Sequence, residues 1–273
     1  MSEMFMSEGF VRRTGSICLA ILLLGMLLAH QTAAADSNFA KRAETMIQGD
    51  PQGTLALAEA ELKQHPRSAT ALGFKARTLL TLGRREEAEK TLKRAQKIDP
   101  RNAVVQYAHA KYLFETGDHP GALETFTAAG KTDPQFLWAF MNEGALAYQL
   151  KDFARSARAY ERAFALDRNN PRAIFSAGLS YQSVGTMEKA AAAFRQTLEI
   201  YPDYPEAFLS LVSVYDAMKD AKSVDAAFRA EIARLPNEPA VRMAYAGWLL
   251  RAGRTQEATM LRLQSLPSYL VNG

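Results

Sequence analysis

The chain has 273 residues, 48% of them hydrophobic, a net charge of +4 and one cysteine, Cys18. That is apolar content enough for a continuous core, and a lone cysteine excludes internal disulfides and paired-thiolate metal sites. The positive excess is local: residues 36–101 carry 13 Lys/Arg against 9 Asp/Glu, while residues 102–273 carry 18 of each. The basic run Arg84, Arg85, Lys90, Lys93, Arg94 and Lys97 is interleaved with Glu86, Glu87 and Glu89 at helical spacing. It reads as a solvated helix face. It also lacks interleaved aromatics, which argues against a nucleic-acid partner.

The first 35 residues stand apart. Arg12 and Arg13 precede an apolar run from Ile17 to Ala29, and Ala33-Ala34-Ala35 comes ahead of Asp36. Basic, apolar and small-residue regions in that order make a secretory signal, with cleavage after Ala35. The apolar run is short against the roughly 17–25 residues a membrane span needs, but extended through Ala35 it just reaches. A retained inner-membrane anchor is therefore the alternative, and the only route to a membrane. Cys18 sits at the front of the run, which does not match a lipoprotein signal. Either way the remaining chain is expected outside the inner membrane of a bacterial host, in the periplasm.

From residue 36 onward the chain falls on a 34-residue grid. The stretch Pro171 to Pro202 shows it best, with Gly178 at position 8, Tyr181 at 11, Gly185 at 15, Ala190 at 20, Phe194 at 24 and Pro202 at 32. Small Gly178 and Ala190 let two helix backbones approach, and Tyr181 and Phe194 fill the space beside them. Gly185 can take the left-handed conformation that ends a first helix, and Pro202 stops the second. Position 32 repeats as Pro66, Pro100, Pro134, Arg168, Pro202 and Pro236. Position 20 repeats as Thr54, Ala88, Ala122, Ser156, Ala190, Val224 and Ala258.

This pattern resembles the tetratricopeptide repeat family. The resemblance covers residues 36–273 and implies an all-α, right-handed solenoid of about seven helix-turn-helix repeats, starting near residues 35, 69, 103, 137, 171, 205 and 239. Lys151 and Arg168 in the fourth repeat, and Val212, Lys219, Val224 and Glu231 in the sixth, are expected to loosen helix packing locally, while the first and last repeats depart as array ends do. Arg42 stands at the small position 8 of the first repeat, Lys151 and Lys219 replace the glycine at position 15, and Arg262 stands in the aromatic column of the last repeat. Ser37 or Asn38 could cap the first helix, and Pro267 is placed to end the last.

Catalytic signatures are missing. There is no HExxH, P-loop, GxGxxG or GxSxG. His65, His109 and His119 occupy different parts of different repeats, so no metal site is expected, and no cofactor. His109 is expected to pack and the other two to face solvent. The expectation is a non-enzymatic binding protein.

In the family the concave groove is lined by positions 2, 5, 9, 12 and 13 of each first helix, which share one helical face. Carried onto this sequence, the groove takes Tyr107, Lys111, Phe114 and Glu115, then Trp138, Met141, Tyr148 and Gln149. It continues with Arg172, Phe175, Leu179 and Gln182, and with Glu206, Leu209 and Asp216; Phe136 and Tyr204 at position 34 reach the same rim. Some of these rings could instead pack between neighbouring helices. The lysines and asparagines with which some members hold a chain-terminal carboxylate are replaced here by Gly73, Arg77, Tyr107, Met141 and Ala145. The aromatic lining implies a protein partner, an extended or helical segment with apolar anchors, bound during assembly of an envelope complex such as a pilus, a secretion system or an exopolysaccharide exporter. The alternative is a polysaccharide stacked on Trp138, Tyr107, Tyr148 and Phe175.

The leader carries its own test. Exported protein is expected to begin at Asp36 by intact-mass measurement; a mass that retains residues 1–35 would establish the anchor instead.

Overall fold

The computed structural model describes residues 38–263, whose regular structure is helical throughout. The leader with its cleavage point, Ser37 and Pro267 lie outside the described residues. Fourteen helices run in seven pairs among the described residues. They are α1 (38–46), α2 (Pro51–Gln64), α3 (Ala69–Thr81), α4 (Arg85–Ile98), α5 (Ala103–Glu115), α6 (His119–Thr132) and α7 (Leu137–Gln149), followed by α8 (Phe153–Leu166), α9 (Pro171–Val184), α10 (Met187–Ile200), α11 (Pro205–Ala217), α12 (Ala221–Arg234), α13 (Pro239–Arg251) and α14 (Thr255–Leu263). The fold is an all-α solenoid of helix hairpins. It forms two compact units that divide between Ala139 and Phe140, inside α7.

The grid sets where helices start. From α3 to α13 each odd-numbered helix begins 34 residues after the last, and so does each even-numbered helix from α2 to α14. Proline opens α2, α9, α11 and α13, where its missing amide hydrogen costs nothing. Side chains cap many of the starts. Asp50, Asp118, Asp152 and Asp220 accept an amide hydrogen from the first turn of the even helices, and Ser68, Asn102 and Asn170 do the same for odd ones. Arg84 and Arg254 replace the aspartate before α4 and α14. Each instead grips a glutamate three residues on, Glu87 or Glu257, with both bonds at 2.6–2.7 Å.

The turn inside six of the seven hairpins hangs on one left-handed residue. Gly185 has φ 86°, and the Thr186 amide reaches back to the Tyr181 carbonyl at 3.0 Å, closing the end of α9. Lys151 and Lys219 adopt the same conformation, with φ 63° and 58°, and make the equivalent closures from Asp152 to Ala147 and from Asp220 to Tyr215. These turns close with lysine as they do with glycine, against a left-handed cost of roughly 1–2 kcal/mol per residue. Gly49, in the same column, does not take this conformation. The first hairpin turns differently.

Packing follows the columns. All seven residues at position 20, from Thr54 to Ala258, are fully buried. At position 8 the cause of smallness differs from the expectation. A Cβ on Gly178 would lie 2.6 Å from the Phe194 ring, and one on Gly144 would lie 2.9 Å from the Tyr160 ring. The glycine makes room for the aromatic ring of its own hairpin, not for a second backbone.

Within unit 1, Phe39 and Ala43 of α1 and Ile47 just after it pack on Ala58, Ala71 and Phe74, with Phe39 edge-on to Phe74 at 5.6 Å. Leu72, Ala76, Leu92, Val105 and Ala108 continue the core, and α3 packs along α5. Within unit 2 the cores centre on Phe194 with Leu211 and on Phe228 with Leu249. There the odd helices draw apart: α9 and α11 touch at few points, and α11 and α13 are joined mainly through α12.

Gly178→Leu is expected to cost about 1–3 kcal/mol, since the added atoms must displace the Phe194 ring. Hydrogen exchange should rise first in α8 to α11 and leave α3 protected, because each hairpin touches only its neighbours. A uniform rise along the chain would contradict this packing account.

Candidate binding surfaces

The expected groove residues divide into packed and open sets. In unit 1, Tyr107 is 3% exposed. Its ring lies 5.4 Å from Phe126 and 5.0 Å from Phe136, and the Arg77 guanidinium covers it at 4.6 Å. Phe136 is buried too, and in unit 2 so is Met141. These three are core, which corrects their placement on an open rim; a ring under Arg77 is also closed to a sugar. The reason is geometric. Tyr107 and Met141 stand at position 5, where a large side chain can turn into the packing instead of the groove, and Phe136 at position 34 packs on the Tyr107 ring.

Beside Tyr107 lies a charged cluster that the spacing alone did not reveal. Arg77 is 1% exposed, and its Nη1 donates to Glu44 Oε2 at 2.7 Å. A buried guanidinium needs such a partner, because losing one member of a buried pair typically costs about 3–5 kcal/mol. Lys111 follows Tyr107 by one turn and is half-buried. Burial first, and then repulsion from Arg77, lowers its pKa below 10.5, while Glu115 partly offsets both. Phe114, a turn further on, is exposed and packs against His119 at 5.0 Å. His119 is consequently half-buried rather than solvated, and its Nδ1 has no hydrogen-bond partner. Trp138 is half-buried. The basic run on α4 is solvated, with Lys93 bound to Glu89 at 2.5 Å and Arg94 Nη2 donating to the Pro66 carbonyl at 2.5 Å.

In unit 2 the open set is larger. Tyr148 packs on Phe153 and meets the Ser183 hydroxyl at 3.3 Å. Arg172 is exposed, and Phe175, Leu179, Gln182 and Tyr204 are half-buried. Phe175 lies 4.9 Å from Tyr204, which in turn meets Tyr201 edge-on at 6.2 Å. Tyr201 is 52% exposed and Leu209 55%. Tyr201 closes α10 outside the expected groove positions, so the grid passed over it. Asp216 is occupied differently than expected: it accepts the Trp248 Nε1 hydrogen at 2.8 Å, tying α11 to α13.

Beyond Leu209 a cavity of about 360 Å³ opens between α11, α12 and α13. Phe208, Leu209, Leu235 and Val241 form its walls, and Asp203, Glu231, Arg234 and Glu238 lie at its edge. Beside Val241, α13 lines the cavity with the small side chains of Ala240 and Ala244, which leave it unfilled. Those two alanines, at positions 2 and 6 of their repeat, are the signal that sequence reading could have used. Among the described residues no group of three or more His, Cys, Asp or Glu converges as a metal site, and no helix is long and apolar enough to cross a membrane.

Two family models, each described as tetratricopeptide repeat, match residues 46–112 and 141–205. No curated protein matches the chain significantly. Among solved structures, YrrB, described as a TPR protein with an unusual peptide-binding site, is similar at TM-score 0.56 and 18% identity, over 66% of this chain and 92% of its own. PilF of Pseudomonas aeruginosa has TM-score 0.55 at 18% identity, over 74% of this chain and 92% of its own. PilW, described as a widely conserved type IV pilus biogenesis factor, has TM-score 0.52 at 18% identity, over 74% and 94%. At these identities the likeness is one of fold.

Lys111 gives a pH test. Its folded pKa is lowered, so between that value and the ordinary 10.5 the unfolded chain binds more protons and stability rises with pH. Below that window the full cost of the buried charge is present. Lys111→Met is expected to raise the urea midpoint at pH 7, with the gain shrinking as pH approaches 10.5. A lower midpoint at pH 7 would show that the ammonium stabilises the fold.

Proposed function

The chain belongs to the tetratricopeptide repeat family, and on that premise we propose that it is a non-enzymatic scaffold that binds a segment of another protein on the face of its odd-numbered helices. The observation that carries this reading is the exposure of two large apolar side chains in unit 2, Tyr201, which continues the ring series from half-buried Phe175 and Tyr204, and Leu209 on α11. Water-exposed apolar side chains set side by side on a scaffold are what a protein partner covers. The peptide-binding description of YrrB supports the ligand class, and PilF and PilW support a place in envelope assembly, as in a pilus. The leader, with its secretory pattern, supports a periplasmic location. Tyr148, Arg172, Leu179 and Gln182 would extend the same face within unit 2, and the partner segment would lie across it as a strand or helix; Lys111, Phe114 and Trp138 would offer a similar lining on the odd-numbered helices of unit 1.

A photocrosslinking residue placed at Leu209 or Tyr148 in the native host is expected to give discrete protein adducts. The same residue at Lys93, on the solvated face of α4, should give none. Leu209→Asp should leave helicity intact, since Leu209 is largely exposed. It should weaken the captured partner by at least about tenfold, or about 1.4 kcal/mol. Adducts from Lys93 alone would put binding on the other face.

A further inference from the structure

Resting on that reading, we propose that the cavity between α11 and α13 takes one apolar side chain of the partner segment, and that this side chain is flanked by lysine or arginine. The cavity volume, about 360 Å³, lies near the bottom of the roughly 300–1,000 Å³ range of small-ligand sites. It suits a single leucine- or phenylalanine-sized group entering from the groove, not a whole helix. Its walls, Phe208, Leu235 and Val241, are apolar, and exposed Leu209 stands at its lip.

The edge determines which residues accompany that group. Asp203, Glu231 and Glu238 face one cation, Arg234, a net charge of −2. Arg234 is already engaged: Nε and Nη2 fork onto Glu231 at 3.0 and 2.7 Å, and Nη1 donates to Asp203 at 2.5 Å. Those carboxylates raise its pKa, Glu231 first and then Asp203. The nearby Arg242 turns its guanidinium to the Pro236 carbonyl and is not part of the cavity edge. Glu238 uses one oxygen, at 3.2 Å, to cap α13 at the Ala240 amide. A carboxylate brought by a ligand would thus meet two unneutralised negative charges, whereas an ammonium or guanidinium would find acceptors. The repulsion and the attraction both favour a basic flank.

The test separates shape from charge. The protein, with Leu209, Leu235 and Val241 methyls observed by NMR, is titrated with 3-methylbutylammonium and with 3-methylbutanoate, which share an alkyl group and differ in charge. Two matched Gly/Ser peptides carrying Lys-Leu-Lys or Glu-Leu-Glu repeat the comparison. The cationic member of each pair is expected to shift these methyls at least about fivefold more tightly at low salt, with the gap closing near about 0.5 M salt. Glu238→Gln, which keeps the helix cap, should shrink the preference. Ala244→Phe fills the cavity and should abolish the shifts; Ala240→Leu fills it less and serves where Ala244→Phe unfolds. Equal or tighter binding of the anionic members overturns the charge assignment, and shifts that survive both filling variants overturn the cavity. A dimer in sedimentation that Ala244→Phe converts to monomer would make a second copy the occupant and also overturn the proposal. None of these outcomes depends on Leu209 crosslinking, so the groove reading stands or falls separately.

Discussion

The structure depends on a chain reversal that must happen at the same place in each hairpin. In six of the seven hairpins the residue between the helices turns left-handed, and the amide that follows closes the first helix. Glycine adopts this conformation at little cost, but Lys151 and Lys219 adopt it as well. Closure is therefore stronger than residue preference. Once the reversal is fixed, the column of small residues meets the facing helix, and the position-24 ring drops into the notch left by Gly144 or Gly178.

That hierarchy explains what was readable in the sequence. Helix starts, turns and the buried position-20 column follow from local rules: proline at a helix start, an aspartate or asparagine cap, a small side chain at a contact. Each repeats, so agreement among seven copies compensates for weak signals in any one. The glycine at position 8 was legible as a packing site but not as the notch for a ring, because the pattern gives spacing and not the identity of the opposing atoms.

The candidate site was less legible because its residues serve two neighbours. A position-5 side chain can turn into the packing or stay open to the groove. Tyr107 and Met141 are buried, whereas Leu209, at the same position, remains open beside a cavity that α13 lines with Ala240, Val241 and Ala244. The buried pair of Arg77 and Glu44 escaped notice for a related reason. Its two members lie 33 residues apart and only the stacking of one hairpin on another brings them together.

Among the described residues, helices touch partners one or two places along the chain, and from α2 onward helix starts recur every 34 residues within each of the two alternating sets. A genetic consequence follows. Loss or duplication of 34 consecutive codons would remove or add one hairpin while leaving the reading frame, the turn spacing and the pattern of neighbours as they were. An insertion of any other length must be accommodated at a turn or it throws a buried column onto the surface. Repeat number is thus a heritable variable for this architecture, while repeat length is held nearly fixed.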